Sequence, residues 1–136
     1  MEPGDIKPLA GLKVLLVDDE EDVREVLAIL LRMAGAQVED VATIDQALDA
    51  HSRGRPDCVV SDLNLDRDGC LLLERIRARE RGSDRPLPAV ALTGHILAED
   101  REKAFAAGFQ AYLTKPVDPQ QLVRAILDAL GGVRPS

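Results

Sequence analysis

Four short apolar runs in this 136-residue chain each lead into a residue that can do chemistry. Val14-Leu15-Leu16-Val17 leads into Asp18-Asp19, and Cys58-Val59-Val60-Ser61 leads into Asp62. Ala89 to Leu92 leads into Thr93, and Ala111 to Thr114 leads into Lys115-Pro116. The set is three carboxylates, one hydroxyl and one ammonium. Acids brought together repel one another and take up protons unless a cation offsets them. Lys115 alone is one positive charge against three negative ones. A hard divalent ion, Mg²⁺ above all, accepts oxygen ligands and keeps waters that a phosphate can displace. The chemistry open to such a set is phosphoryl transfer.

Taken singly, each residue has an ordinary explanation. Asp18 to Asp22 is an unbroken run of acids, which would suit the positive N-terminus of a following helix. Asp62 could cap a turn, Thr93 could be a β-branched strand residue, and Lys115 could be a solvated charge. Their shared placement at the ends of separate apolar runs is what these explanations leave out.

The elements that must position them alternate along the chain. Five strand-helix pairs follow from the patterning: 12–17 then 22–35, 36–42 then 43–54, 57–61 then 69–82, 89–93 then 98–108, and 111–114 then 118–131. Val23, Val26, Leu27, Leu30 and Ala34 share one helical face, as do Leu122, Ala125, Ile126 and Ala129. Gly35, Gly54, Gly82, Gly108 and Gly131 stand where a left-handed residue would end each helix. The strands are apolar at consecutive positions, as parallel strands covered on both faces require. An open parallel sheet places its reactive crevice beyond the carboxyl ends of its strands, the edge that Asp18, Asp62, Thr93 and Lys115 share.

Length and composition fit one domain. Residues 1–11, with Pro3, Gly4, Pro8 and Gly11, read as a flexible leader, 12–131 as the domain and 132–136 as a short tail. Twenty-four acids against seventeen bases give a net charge of −7, which repels phosphate backbones, so no direct nucleic-acid partner is expected. No apolar run approaches the ~20 residues of a membrane span, and the chain reads as cytoplasmic with no membrane partner. Cys58 and Cys70 are too few and too widely spaced for a disulfide framework or a metal pair. A calcium loop starting at Asp62 has Arg67 where glycine is required and Leu73 where glutamate is required. Starting at Asn64 restores Gly69 but places Arg75 at the last position.

Val17-Asp18-Asp19, Ser61-Asp62-Leu63-Asn64, Ala91-Leu92-Thr93-Gly94 and the run from Gly108 to Lys115-Pro116 together resemble the receiver domain of two-component response regulators, over about Leu12 to Leu130. The resemblance implies a doubly wound five-stranded parallel sheet, a (βα)5 flavodoxin-like fold similar to the chemotaxis receiver. It implies that Asp62 is the phosphoacceptor, with Asp18, Asp19 and the backbone carbonyl of Asn64 beside it around Mg²⁺. Lys115 becomes the phosphoryl-binding cation, Thr93 the switch hydroxyl and Tyr112 the switch aromatic, with a cis peptide expected between Lys115 and Pro116. The implied donor is a histidine kinase or histidine phosphotransfer protein. The implied listener is a downstream protein that reads the fourth helix, fifth strand and fifth helix. Such a domain is no enzyme beyond its own phosphorylation and dephosphorylation.

One departure from the family pattern lies in Leu65-Asp66-Arg67-Asp68-Gly69, which lacks the usual proline and reaches Asp-Gly one residue early. It bears on loop shape and metal affinity. Two alternatives use the same residues. A haloacid-dehalogenase-like phosphatase also forms an aspartyl phosphate, but needs a second Asp as general acid where this chain has Asn64. A phosphorylation-independent pseudo-receiver would keep the fold and lose acids that are all present here. His51, late in a polar helix, and His95, two residues past Thr93, do not form a catalytic pair; His95 reads as a rim residue able to affect the approach of water.

Overall fold

A computed structural model describes residues 7–65, 70–82, 85–94 and 98–131. These form strands β1 (Lys13–Val17), β2 (Gln37–Val41), β3 (Cys58–Asp62), β4 (Ala89–Thr93) and β5 (Ala111–Thr114). Between and after them lie helices α1 (Glu21–Met33), α2 (Ile44–Gly54), α3 (Leu71–Arg79), α4 (Ala98–Ala107) and α5 (Pro119–Leu130). The sheet is parallel in the order β2-β1-β3-β4-β5, the doubly wound flavodoxin-like order.

The period-2 alternation of strands explains why Val14–Val17 of β1 and all of β3 and β4 are buried on both faces. Val14, Leu16, Val60, Val90 and Leu92 pack on one face against Leu27 and Leu31 of α1 and Leu122 and Ile126 of α5. Leu15, Val17, Val59, Ala89 and Ala91 pack on the other against α2, α3 and α4 through Ala47, Leu72, Leu73, Ile76 and Ala104. Edge strand β2 carries charges instead. Its Glu39 pairs with Arg53 at 2.7 Å and its Asp40 with Arg24 at 3.2 Å, which blunts an edge that would otherwise template pairing. Cys58 and Cys70 are both buried thiols, and burial pushes the Cys58 thiol up to about 12.

Part of the stretch read as a flexible leader is core. Leu9 is fully buried, its N–H donates to the Ala34 carbonyl at 2.8 Å, and the Lys7 ammonium donates to the Met33 carbonyl at 3.1 Å. Gly35, at φ +104°, makes room for this segment: a Cβ there would stand 2.8 Å from the Lys7 Cβ and 2.9 Å from the Ala10 nitrogen. A single leucine flanked by prolines and glycines has no periodicity to reveal that it packs. Residues 1–6 and 132–136 lie outside the described residues, as does the Asp66–Gly69 stretch of the family departure.

Helix ends also depart from the glycine rule. Gly35 and Gly108 take left-handed conformations directly after α1 and α4, whereas Gly82 does so in the turn beyond α3. In α2 the left-handed residue is Arg55 (φ 47°), with Gly54 still helical, because Pro56 supplies no N–H and stops the helix there. Gly131 has φ −99° and donates to the Leu127 carbonyl, closing the last turn of α5 without a left-handed residue.

Candidate functional site

The carboxyl ends of β1, β3, β4 and β5 assemble the site. Asp18 follows β1, is fully buried and stays in the sheet through its N–H to the Val41 carbonyl at 3.1 Å. Its Oδ1 accepts from the Glu20 N–H at 2.9 Å. Asp62 ends β3, is fully buried, and its Oδ1 accepts from the Asn64 N–H at 2.9 Å. Each carboxylate thus makes an Asx-type turn with the N–H two residues on, which fixes its orientation and leaves Oδ2 facing the centre.

Lys115 is brought in by β5, and its N–H donates to the Thr93 carbonyl at 2.7 Å. Its Nζ lies 2.7 Å from Glu20 Oε1, 3.0 Å from Asp18 Oδ2 and 3.3 Å from Asp62 Oδ2. Only the Glu20 contact has hydrogen-bond geometry. Asp18 Oδ2 and Asp62 Oδ2 are buried, within ion-pair reach of the ammonium, and accept no aligned hydrogen bond. Asp18, Glu20 and Asp62 each offer an oxygen, all within 4.8 Å of one another. Three carboxylates against one ammonium, with two buried oxygens unsatisfied, is the donor set that a hard divalent cation fits.

Electrostatics agree with this reading. Burial pushes the Asp62 carboxyl up to about 6 and the Asp18 charge adds to the push, while the Asn64 N–H and Lys115 oppose it. For Lys115, burial favours loss of the proton, but the contacts with Glu20 and Asp18 and the charges of Asp62 and Asp18 outweigh it. Its ammonium is held above its ordinary range. Asp62 is therefore reluctant to ionise alone, and an added cation would favour its charged form.

The structure brings Asp18, Asp62 and Lys115 together as the spacing suggests. Thr93, buried at the end of β4, lies at the same edge. Tyr112 is half-buried on β5. It pairs in register with Ala91, while Thr93 pairs with Thr114, so Thr93 and Tyr112 are diagonal neighbours on one face of the sheet. Asn64 sits in the 3-10 turn Leu63–Leu65 after β3, exposed, and Lys115-Pro116 is cis. Asp19 is exposed, and the third carboxylate near Lys115 is Glu20. Sequence reading missed Glu20 because it is one acid in a run of five. The signal was the Asx turn at Asp18, which bonds residue 20 back to the strand end. His51 lies away from the site against Arg79 at 3.1 Å, and burial together with the Arg79 charge lowers its pKa. His95 is outside the described residues.

Residues 14–127 match the response regulator receiver domain family. The chain belongs to that family. It is a receiver domain of a two-component system, with an acidic pocket of Asp18, Glu20 and Asp62 beside Lys115. It is 39% identical over 122 residues to an uncharacterized 14.6 kDa protein of Leptolyngbya boryana, covering 89% of this receiver and 92% of that protein. It is 35% identical to the transcriptional regulatory protein GlrR of Escherichia coli, covering 86% of this receiver but only 26% of GlrR. Among solved structures, a two-component response regulator of the LuxR family from Aurantimonas superposes with a TM-score of 0.78 at 33% identity, over 89% of this receiver and 86% of that chain.

Proposed function

We propose that this receiver accepts a phosphoryl group on Asp62 from a phosphohistidine of a histidine kinase or histidine phosphotransfer protein. The supporting observation is the buried, unsatisfied Asp62 Oδ2, 3.3 Å from the Lys115 ammonium. An Asp62 oxygen attacks phosphorus, an O–P bond forms, and the N–P bond breaks with its electron pair going to the imidazole nitrogen. Lys115 faces the oxygens on which charge is held during transfer, and such transfers depend mostly on positioning and charge stabilisation. Asp18 and Asp62 would hold a Mg²⁺ ion, with Asp19 and the Asn64 carbonyl as the further ligands expected from the family; when bound, the ion supplies additional neutralisation of the phosphoryl oxygens. The Asx turns at Asp18 and Asp62 keep both carboxylates aimed before the donor arrives.

The domain acts as a phosphoacceptor rather than a turnover enzyme, and its aspartyl phosphate is lost to water. Asn64 stands where a phosphatase of the dehalogenase type needs its general acid. The output is a protein partner that reads α4, β5 and α5, with Thr93 and Tyr112 as the switch pair, and the setting is cytoplasmic.

Acetyl phosphate with Mg²⁺ should add one phosphoryl mass that is labile to base, and Asp62→Asn should abolish it. An adduct that persists in that variant would overturn the assignment.

A further inference from the structure

Glu20 occupies the N-cap of α1, yet its side chain makes no capping hydrogen bond. Caps prefer short side chains such as Ser, Thr, Asp and Asn that reach the N–H groups of the first turn, and Glu20 instead extends to Lys115. That contact, at 2.7 Å, is the shortest the ammonium makes and the one with hydrogen-bond geometry. Asp18 and Asp62, both fully buried, approach the same ammonium from below at 3.0 and 3.3 Å. Glu20, with its side chain 57% exposed, covers it from the solvent side.

A phosphoryl group on Asp62 brings about −1.5 to −2 charges and three acceptor oxygens. Those oxygens need the Lys115 N–H groups, and a carboxylate already bonded to the ammonium is both a competitor and a like charge. We propose that Glu20 is a positioning residue, a latch that engages Lys115 in the unmodified receiver and must release it when the phosphoryl group arrives. The inference rests on Asp62 being the phosphoacceptor. Glu20 touches no reacting atom and acts only through Lys115. Its freedom from capping leaves it able to swing into solvent without loosening α1.

Beryllofluoride, a phosphoryl mimic, tests the latch without turnover. Binding can be followed by tyrosine emission, because Tyr112 is the only tyrosine and the chain has no tryptophan. Titrations are run at Mg²⁺ concentrations saturating for each variant. Glu20→Gln should tighten beryllofluoride binding about two- to fivefold, the size of an exposed ion pair. Glu20→Asp keeps the charge but draws it back by one methylene, so it should tighten binding as well. Glu21→Gln, an equal charge change on the neighbouring residue, should have a smaller effect than either, and melting temperatures should stay close to wild type throughout.

Wild-type affinity in Glu20→Asp, or equal tightening in Glu21→Gln, would trace the effect to net charge and overturn the latch. Unchanged or weakened binding in Glu20→Gln would overturn it too. If the wild-type receiver itself fails to bind beryllofluoride at Asp62, the phosphoacceptor reading falls first. Normal wild-type binding with unresponsive Glu20 variants removes the latch alone.

Discussion

Asp18 and Asp62 are built alike: 44 residues apart in the chain, each follows or ends a buried strand and holds one carboxylate oxygen on the N–H two residues ahead, at 2.9 Å. The register that pairs Val17 of β1 with Ser61 of β3 carries the two aspartates side by side. The same local turn, repeated on adjacent strands, aims two Oδ2 atoms at one ammonium. A parallel sheet can do this because neighbouring strands end at the same edge, and β1 and β3 flank the point where the winding reverses.

The first consequence concerns pH. Asp62 has its carboxyl raised from 3.8 to about 6, so the native state binds more protons than the unfolded state between those values. Stability then falls as pH rises through this window, since its slope follows the protons bound by the unfolded state minus those bound by the native one. Without divalent cations, Asp62→Asn should be more stable than wild type above pH 6, by on the order of 1–3 kcal/mol, and the gap should shrink towards pH 4. Urea denaturation at several pH values measures it. A gap that does not depend on pH would mean that Asp62 is not strained by its burial.

Divalent cation should act in the opposite direction. Mg²⁺ that binds only the native state adds about 2.7 kcal/mol at a hundred times its Kd, so titration should raise the melting temperature. Asp18→Asn removes one of the two buried unsatisfied oxygens and should blunt the rise. Asp19→Asn addresses the ligand expected from the family pattern. A full response in Asp18→Asn would show that the buried pair does not hold the ion.

The N-terminal segment makes a test of packing. Leu9 is fully buried in the same cluster as Leu31 and Ile126, and truncating a buried leucine costs about 2–5 kcal/mol. Leu9→Ala should destabilise the domain by that order, whereas Lys7→Ala should cost far less. Chemical denaturation decides. A loss below about 0.5 kcal/mol, typical of surface changes, would return this stretch to the status of a leader.

The contrast between Leu9 and Asp62 marks what the sequence could reveal. Asp62 ends an apolar run, and the run, the strand and the sheet edge all follow from one pattern, so the parallel sheet and the meeting of Asp18, Asp62 and Lys115 at its edge were readable. Leu9 has no repeating neighbours and packs only because Gly35 leaves space for its segment. Glu20 was hidden for a related reason. Five consecutive acids differ little by type, and which of them faces Lys115 depends on the Asx turn at Asp18. Helix ends were hard to read where a competing residue decided them, as Pro56 does after Arg55.

In the proposed function, the output of the domain runs through Thr93 and Tyr112. Thr93 pairs with Thr114 and Tyr112 with Ala91, so the two side chains share a face and stand two residues apart along it. A phosphoryl oxygen on Asp62 can accept a hydrogen bond from the Thr93 hydroxyl, drawing it towards the site and freeing space on the side where Tyr112 lies half-buried. Rotation of Tyr112 into that space would alter the surface of α4, β5 and α5 that a partner reads. Adding beryllofluoride and Mg²⁺ should therefore move NMR signals from Asp62 through Thr93 to Ala104–Tyr112 and Leu122–Ala129. Thr93→Ala should still bind the mimic while losing the distant shifts, because it lacks the hydroxyl that links them. Shifts confined to the neighbourhoods of Asp18, Asp62 and Lys115 in the wild type would mean that the receiver is modified without this pair carrying the signal.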